Sequence, residues 1–142
     1  MTIDLQTARG IIAAARSSGG DKGFKPLTVV VLDAGGHVVA AEREDGSSFA
    51  RFEVAFGKAH GALALGAGSR SLMARAEQQP YFVAAVTAAI GGSLVPVPGG
   101  VLVQDPAGTL VGAVGVSGDT SDNDEAAAVA GIEAAGLVAQ VN

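Results

Sequence analysis

The apolar positions of this chain fall into runs whose period changes along its length. From Asp4 to about Ser18, Leu5, Ala8, Ile12 and Ala15 recur at helical spacing, which predicts a helix. Thr2 or Asp4 stands where an N-cap is wanted, and Gly19-Gly20 reads as the stop. Residues 27–34, LTVVVLDA, form a β-branched run, Gly35-Gly36 makes a turn, and 37–43, HVVAAER, return as the second strand of a hairpin. Residues 50–66 are apolar at helical spacing on nearly every side, which predicts a helix covered on more than one face. A short helix follows over 69–79, and Pro80 suits the first turn of a third over 80–90. The glycines and prolines of 91–100 force loops. Residues 101–105, the turn Pro106-Ala107-Gly108 and residues 109–118 make a second hairpin. A last helix is expected from about Asn123 to Gln140, with Asp122 and Glu125 fitting a capping box.

The two hairpins echo each other. Asp33 aligns with Asp105 and Gly36 with Gly108, each followed by aliphatic residues. Shared turn chemistry explains this better than a repeat architecture, which needs more units. Together the elements predict an α/β (α+β) chain: a single domain over 1–142, with an antiparallel sheet of about five strands and helices on its faces. The stretch SLVPV, 93–97, is the expected source of the extra strand.

Composition narrows the function. Hydrophobic residues make up 49% of the 142 and charged residues only 16%, below the usual figure of about a quarter. So few charges would cover an isolated small domain poorly, so a homo-oligomer is expected. The formal net charge of −5 argues against nucleic acid as a partner, since tracking phosphates needs a basic face. There are no cysteines, which removes disulfides, thiolate metal sites and Cys nucleophiles. No basic, apolar leader pattern opens the sequence and no apolar run spans a membrane without interruption, so a cytoplasmic protein with no membrane partner is expected.

The chemistry concentrates on the 50–66 helix, which carries Arg51, Glu53, Lys58 and His60. At about 100° per residue, Arg51 and Lys58 share one face, Glu53 and His60 another, and Lys58 and His60 point apart. Phe49, Phe52, Phe56 and Leu63 read as the core stripe, with His60 at its flank. A desolvated lysine needs a counter-charge or a ligand anion, so Lys58 with Arg51 makes a candidate carboxylate site. An ordinary salt bridge is the competing explanation. The loop Gly99-Gly100-Val101 can turn backbone N–H groups toward the same anion. His60, Glu53 and Asp33 are the candidate acid–base groups, and Lys58 belongs with them as a candidate catalytic residue. His37, beside a turn, is expected to be exposed. The acidic run 118–125 does not match the spacing of a calcium loop and is better explained by helix capping, so no metal site is expected.

These residues resemble a known family. Asp33 and Gly36, then Arg43, Asp45 and Gly46, then Ala55, Lys58, Ala59 and Ala62, then Gly99-Gly100, Gly108, GAVGVSG over 112–118, Asp124-Glu125, Ala128 and Gly131 follow the pattern of the GlcG/HbpS family, also called haem-degrading or DUF336 domains. The match runs nearly end to end and departs at Gly61, at Asp119, and at VLVQ, 101–104, which replaces the proline usual after the glycine pair. The resemblance implies an α/β domain around an antiparallel sheet, a homo-oligomer, and a lysine on the second main helix, which Lys58 matches. Some members bind haem, so a small-ligand-binding protein with haem or a tetrapyrrole as leading ligand is expected. His60 is then the first candidate for the axial ligand, ahead of His37, Met73 and Tyr81. An enzyme for a small organic acid, held by Lys58, Arg51 and the Gly99-Gly100 loop, is the alternative, and a structural or accessory oligomeric subunit the second.

Overall fold

A computed structural model describes residues 2–142. Its elements run α1 (Leu5–Asp21), β1 (Thr28–Asp33), β2 (Val38–Arg43), α2 (Arg51–Leu65), α3 (Ser69–Gln78), α4 (Pro80–Ala89), β3 (Gly100–Gln104), β4 (Leu110–Ser117), α5 (Ser121–Ala134) and β5 (Val138–Gln140). The five strands form one sheet in the order β2-β1-β4-β3-β5, and every neighbouring pair is antiparallel. The α+β class and the five-stranded antiparallel sheet follow the sequence reading.

Alternation along β1 sets the layers. Side chains of a strand point to opposite faces in turn. Val29 and Val31 pack with Ile11, Ile12 and Ala15 of α1 and Ala127, Ala128 and Ile132 of α5. Val30 and Leu32 pack with Ala55, Ala59 and Ala62 of α2. The strand is covered on both faces, which is why it reads as an unbroken β-branched run instead of an alternating one. A smaller cluster of Leu72, Val83 and Leu94 joins α3 and α4 beyond α2.

α2 lies directly on the sheet. Gly100 and Gly115 pair across β3 and β4. A Cβ on Gly100 would stand 2.2 Å from the Lys58 carbonyl oxygen, and one on Gly115 would stand 2.0 Å from that of Ala55. Only residues without side chains allow so close an approach. It explains why the sheet side of α2 carries Ala55, Ala59, Ala62 and one long residue, Lys58, while Gly57 and Gly61 make room for Val95 and Leu94.

Both hairpin turns use the same device. Asp33 accepts from the Gly35 and His37 N–H groups, and Asp105 accepts from those of Ala107 and Thr109. Gly36 and Gly108 adopt positive φ, 83° and 88°. The echo is one aspartate turn built twice.

Several sequence expectations fail for identifiable reasons. α1 does not stop at Gly19-Gly20 but continues to Asp21. A Cβ on Gly19 would meet Leu27 Cδ1 at 2.8 Å, so this glycine is a packing position. Its cap is Asp4, whose carboxylate accepts from Thr7 N–H. SLVPV forms no strand. The fifth strand is β5, which lies where the last helix was expected to continue. α5 ends at Ala134 because Gly136, at φ 74°, takes the left-handed conformation that closes a helix. Its cap is Thr120, which accepts from Asn123 N–H, in place of the Asp122–Glu125 box. Glu125 and Asp122 instead bind Arg70, which ties α3 to α5.

Candidate functional site

The polar residues of α2 divide between its two sides, as their spacing requires. The stripe expected to form the core does so only in part, since Phe56 and Leu63 are half-buried against the cluster beneath α2 while Phe49 and Phe52 are not. Phe49 is 87% exposed and Phe52 36%, because the sheet side of α2 is reserved for residues small enough to let its backbone touch the strands. Phe52, Phe56 and His60 recur every four residues and stack along the outer side. The Phe52 and Phe56 ring centroids lie 6.1 Å apart at 21°, and those of Phe56 and His60 5.2 Å apart at 22°.

His60 is half-buried and fixed. Its Nδ1 lies 2.8 Å from the Ser93 carbonyl oxygen. A carbonyl only accepts, so Nδ1 carries the proton and donates. That leaves Nε2 as the open lone pair of the neutral ring. The ring borders a cleft of about 150 Å³ shared with Leu63, Ala64 and the β1–β2 turn at Ala34, Gly35 and Gly36. Asp33 organises that turn. The His37 backbone N–H, above all, holds its carboxyl below the usual carboxylate range, and the exposed His37 ring stands 3.1 Å away. Asp33 is thus occupied with the turn. Glu53 is exposed and forms no ion pair among the described residues.

The opposite side of α2 brings Lys58, Arg51 and the Gly99-Gly100-Val101 segment together. Lys58 is 2% exposed. Its ammonium donates to the Val116 carbonyl at 2.9 Å and to Asp124 Oδ2 at 3.0 Å. Asp124 is 1% exposed and also accepts from Asp119 N–H. Burial pushes Lys58 below the ordinary lysine range and Asp124 above the ordinary carboxylate range, while their mutual attraction opposes both shifts. Arg51 lies near enough to add a further downward push on Lys58, and donates to the Ser117 hydroxyl at 3.1 Å. Gly99, at φ 123°, leaves the space the ammonium occupies, since a Cβ there would stand 2.8 Å from Nζ. The Gly100 N–H donates to Ser69 Oγ at 2.7 Å, and Val101 is fully buried. The Lys58 ammonium and the Gly100 N–H are already satisfied from within the chain, whereas Arg51 makes one hydrogen bond and no ion pair among the described residues. A ligand anion that engaged Lys58 or the Gly100 N–H would have to displace one of these bonds.

Two partners were not named from the sequence. The first is Asp124 as the counter-ion of Lys58. Its place in an acidic run suggested capping, although an aspartate facing the core side of α5 was the available signal. The second is Ser93, whose role is a backbone carbonyl and leaves no trace in side-chain chemistry. Among the described residues no group of three metal-ligating side chains occurs, and no helix is long and apolar enough to cross a membrane.

Comparison with known proteins places this geometry in a family. The model described as "Haem degrading protein HbpS-like" matches residues 3–133. A double mutant of HbpS from Streptomyces reticuli is 27% identical, with a TM-score of 0.80, over 94% of this chain and 86% of that one. A complex of PduOC with haem superposes with a TM-score of 0.85 at 22% identity, over 97% and 98% of the two chains. The DUF336 protein ORFY from Klebsiella pneumoniae gives 0.85 at 23%, over 96% and 92%. The latter two likenesses show the fold alone. No curated protein sequence matches the chain.

Proposed function

Since the chain belongs to the HbpS-like family of haem-degrading proteins, we propose that it binds haem or a related tetrapyrrole, with His60 Nε2 as ligand to the iron. One observation carries the assignment. The Nδ1–H of His60 is committed to the Ser93 carbonyl, which presents an unprotonated Nε2 in a fixed orientation. Metal-ligating histidines almost always donate their other N–H in this way. The stacked Phe52 and Phe56 add an apolar platform beside it, and a macrocycle lying there would remove aromatic surface from water. The complex of PduOC with haem shows that this fold accommodates the group in another protein.

Haem fits this face only if the face is shared. The cleft at His60, about 150 Å³, is smaller than the roughly 300–1,000 Å³ of enclosed ligand pockets. A second copy of the chain closing over the platform supplies the missing wall. A homo-oligomer is supported independently, because no charged residue stands between Glu77 and Asp105, although Tyr81 and much of α4 are exposed in the single chain. When bound, haem supplies its own iron chemistry. The residues here hold it, orient the ligating imidazole and exclude water.

Hemin titration tests the reading. The Soret band should sharpen and shift, His60→Ala should alter it, and light scattering should give a mass of at least two 13.9 kDa chains. A spectrum identical to free hemin would sink the haem reading, and an unchanged His60→Ala spectrum would sink the ligand assignment. A second reading places a small carboxylate at Lys58, Arg51 and Gly99-Gly100-Val101, with an enzymatic role. Its support is that the fold gathers these residues. The ion pair between Lys58 and Asp124 weighs against it.

A further inference from the structure

One further cavity involves neither side of α2 described above. It has a volume of about 370 Å³ and lies where the end of α2 meets α3 and α4. Its walls are apolar, formed by Leu65, Ala67, Leu72, Ala74 and Phe82, and Arg75 stands with them. The volume falls within the roughly 300–1,000 Å³ typical of small-molecule sites, which combine apolar walls with a few placed polar groups.

Arg75 is held in place without being neutralised. Its guanidinium carbon lies 3.9 Å from the centroid of the Phe82 ring, and its Nε donates to Gln79 Oε1 at 2.5 Å. No carboxylate lies within ion-pair distance of it among the described residues. Its two terminal NH₂ groups form no hydrogen bond among those residues. The contrast with Arg70, five positions earlier on the same helix, is direct, since Arg70 is saturated by Glu125 and Asp122. A planar donor fork clamped by stacking and by one hydrogen bond loses little freedom when it binds, and its geometry matches a carboxylate. Ser71 and Gln78 also line the cavity and bring further polar atoms.

We propose that this cavity binds a small monocarboxylic acid, with the carboxylate on the free edge of Arg75 and a short aliphatic or aryl body against Leu65, Leu72 and Phe82. A dicarboxylate is disfavoured, because the cavity lining offers one cation. The site is independent of haem, and it locates small-acid binding away from Lys58.

Calorimetric titration of the full chain without haem tests this, using hexanoate and benzoate as acids, with 1-hexanol and hexylamine as controls. Both acids should bind saturably, the alcohol about tenfold or more weaker and the amine not measurably, as expected when a hydrogen bond to a charged group is lost. Arg75→Gln should weaken the acids by about the same factor and leave 1-hexanol unchanged. Ala74→Trp, an exposed position on the rim, should fill the cavity and abolish binding of acid and alcohol alike while the circular dichroism spectrum stays native. The proposal is overturned if neither acid binds, if hexanoate and 1-hexanol bind equally, or if Arg75→Gln or Ala74→Trp binds acid as the wild type does.

Discussion

Lys58→Met separates a structural lysine from a ligand-binding one. The substitution keeps the apolar stem and removes the ammonium that satisfies Asp124 Oδ2 and the Val116 carbonyl. Asp124 then remains 1% exposed with its counter-ion gone. Removing one partner of a buried pair costs about 3–5 kcal/mol. The stranded carboxylate can instead take up a proton, and this sets a ceiling on the electrostatic part. With a reference pKa of 3.8, protonating it at pH 7 costs about 4.4 kcal/mol, at about 1.36 kcal/mol per pH unit. At pH 5 the same step costs about 1.6 kcal/mol. The direction follows from linkage: with its folded pKa raised above the unfolded value, Asp124 binds more protons in the folded mutant. The mutant's deficit therefore grows as pH rises above 3.8 and shrinks as pH falls toward it. Urea denaturation at one fixed protein concentration, to hold any association constant, should show a loss of about 3–4 kcal/mol at pH 7, or about 10 °C in melting temperature. The deficit should be at most about half as large at pH 5. Adding Asp124→Asn should restore a substantial part at pH 7. A mutant within about 1 kcal/mol of wild type at pH 7, the scale of an average substitution, would refute the buried pair, and so would a deficit that ignores pH.

Two further outcomes follow from the packing and the loops. Gly115→Ala places a methyl 2.0 Å from the Ala55 carbonyl, so α2 must lift from the sheet, and chemical denaturation should show a loss of about 3 kcal/mol, at the upper end of overpacking costs. Asp119, whose carboxyl is held at about 2 chiefly by the Lys25 N–H, with Thr120 N–H and Asn123 assisting, contributes stability that is fully present above its reference value of 3.8 and is lost as pH falls through about 2. Acid titration of Asp119→Asn should therefore show a flatter loss of stability between those values than wild type, and identical curves would remove Asp119 from the acid limb.

What the sequence determined by itself was what local chemistry dictates. The β-branched run 27–34, the paired aspartate turns at Asp33 and Asp105, and Pro80 at a helix start each carry their own physical cause within a few residues, so both hairpins and the α+β class were legible. The opposition of Lys58 and His60 was legible too, since it is helical geometry alone. The tertiary structure decided which side of α2 faces inward. Hydrophobicity pointed to the phenylalanines, but contact between the α2 backbone and the glycines of β3 and β4 admits only small side chains there, so Ala55 and Ala59 face the sheet, Phe52 is left exposed and Phe56 packs only at the margin of the cluster. It also decided the partners of the two key residues. Lys58 meets Asp124 sixty-six positions away and His60 meets a backbone carbonyl thirty-three away, contacts that no periodicity encodes. The fate of the C-terminal segment was settled the same way. Residues 138–140 have no strong preference of their own, and they became a strand because Gly136 ended α5 beside the unpaired edge of β3. Local propensity chooses among conformations when it stands alone, and it yields wherever a long-range contact satisfies more backbone groups or admits a closer approach.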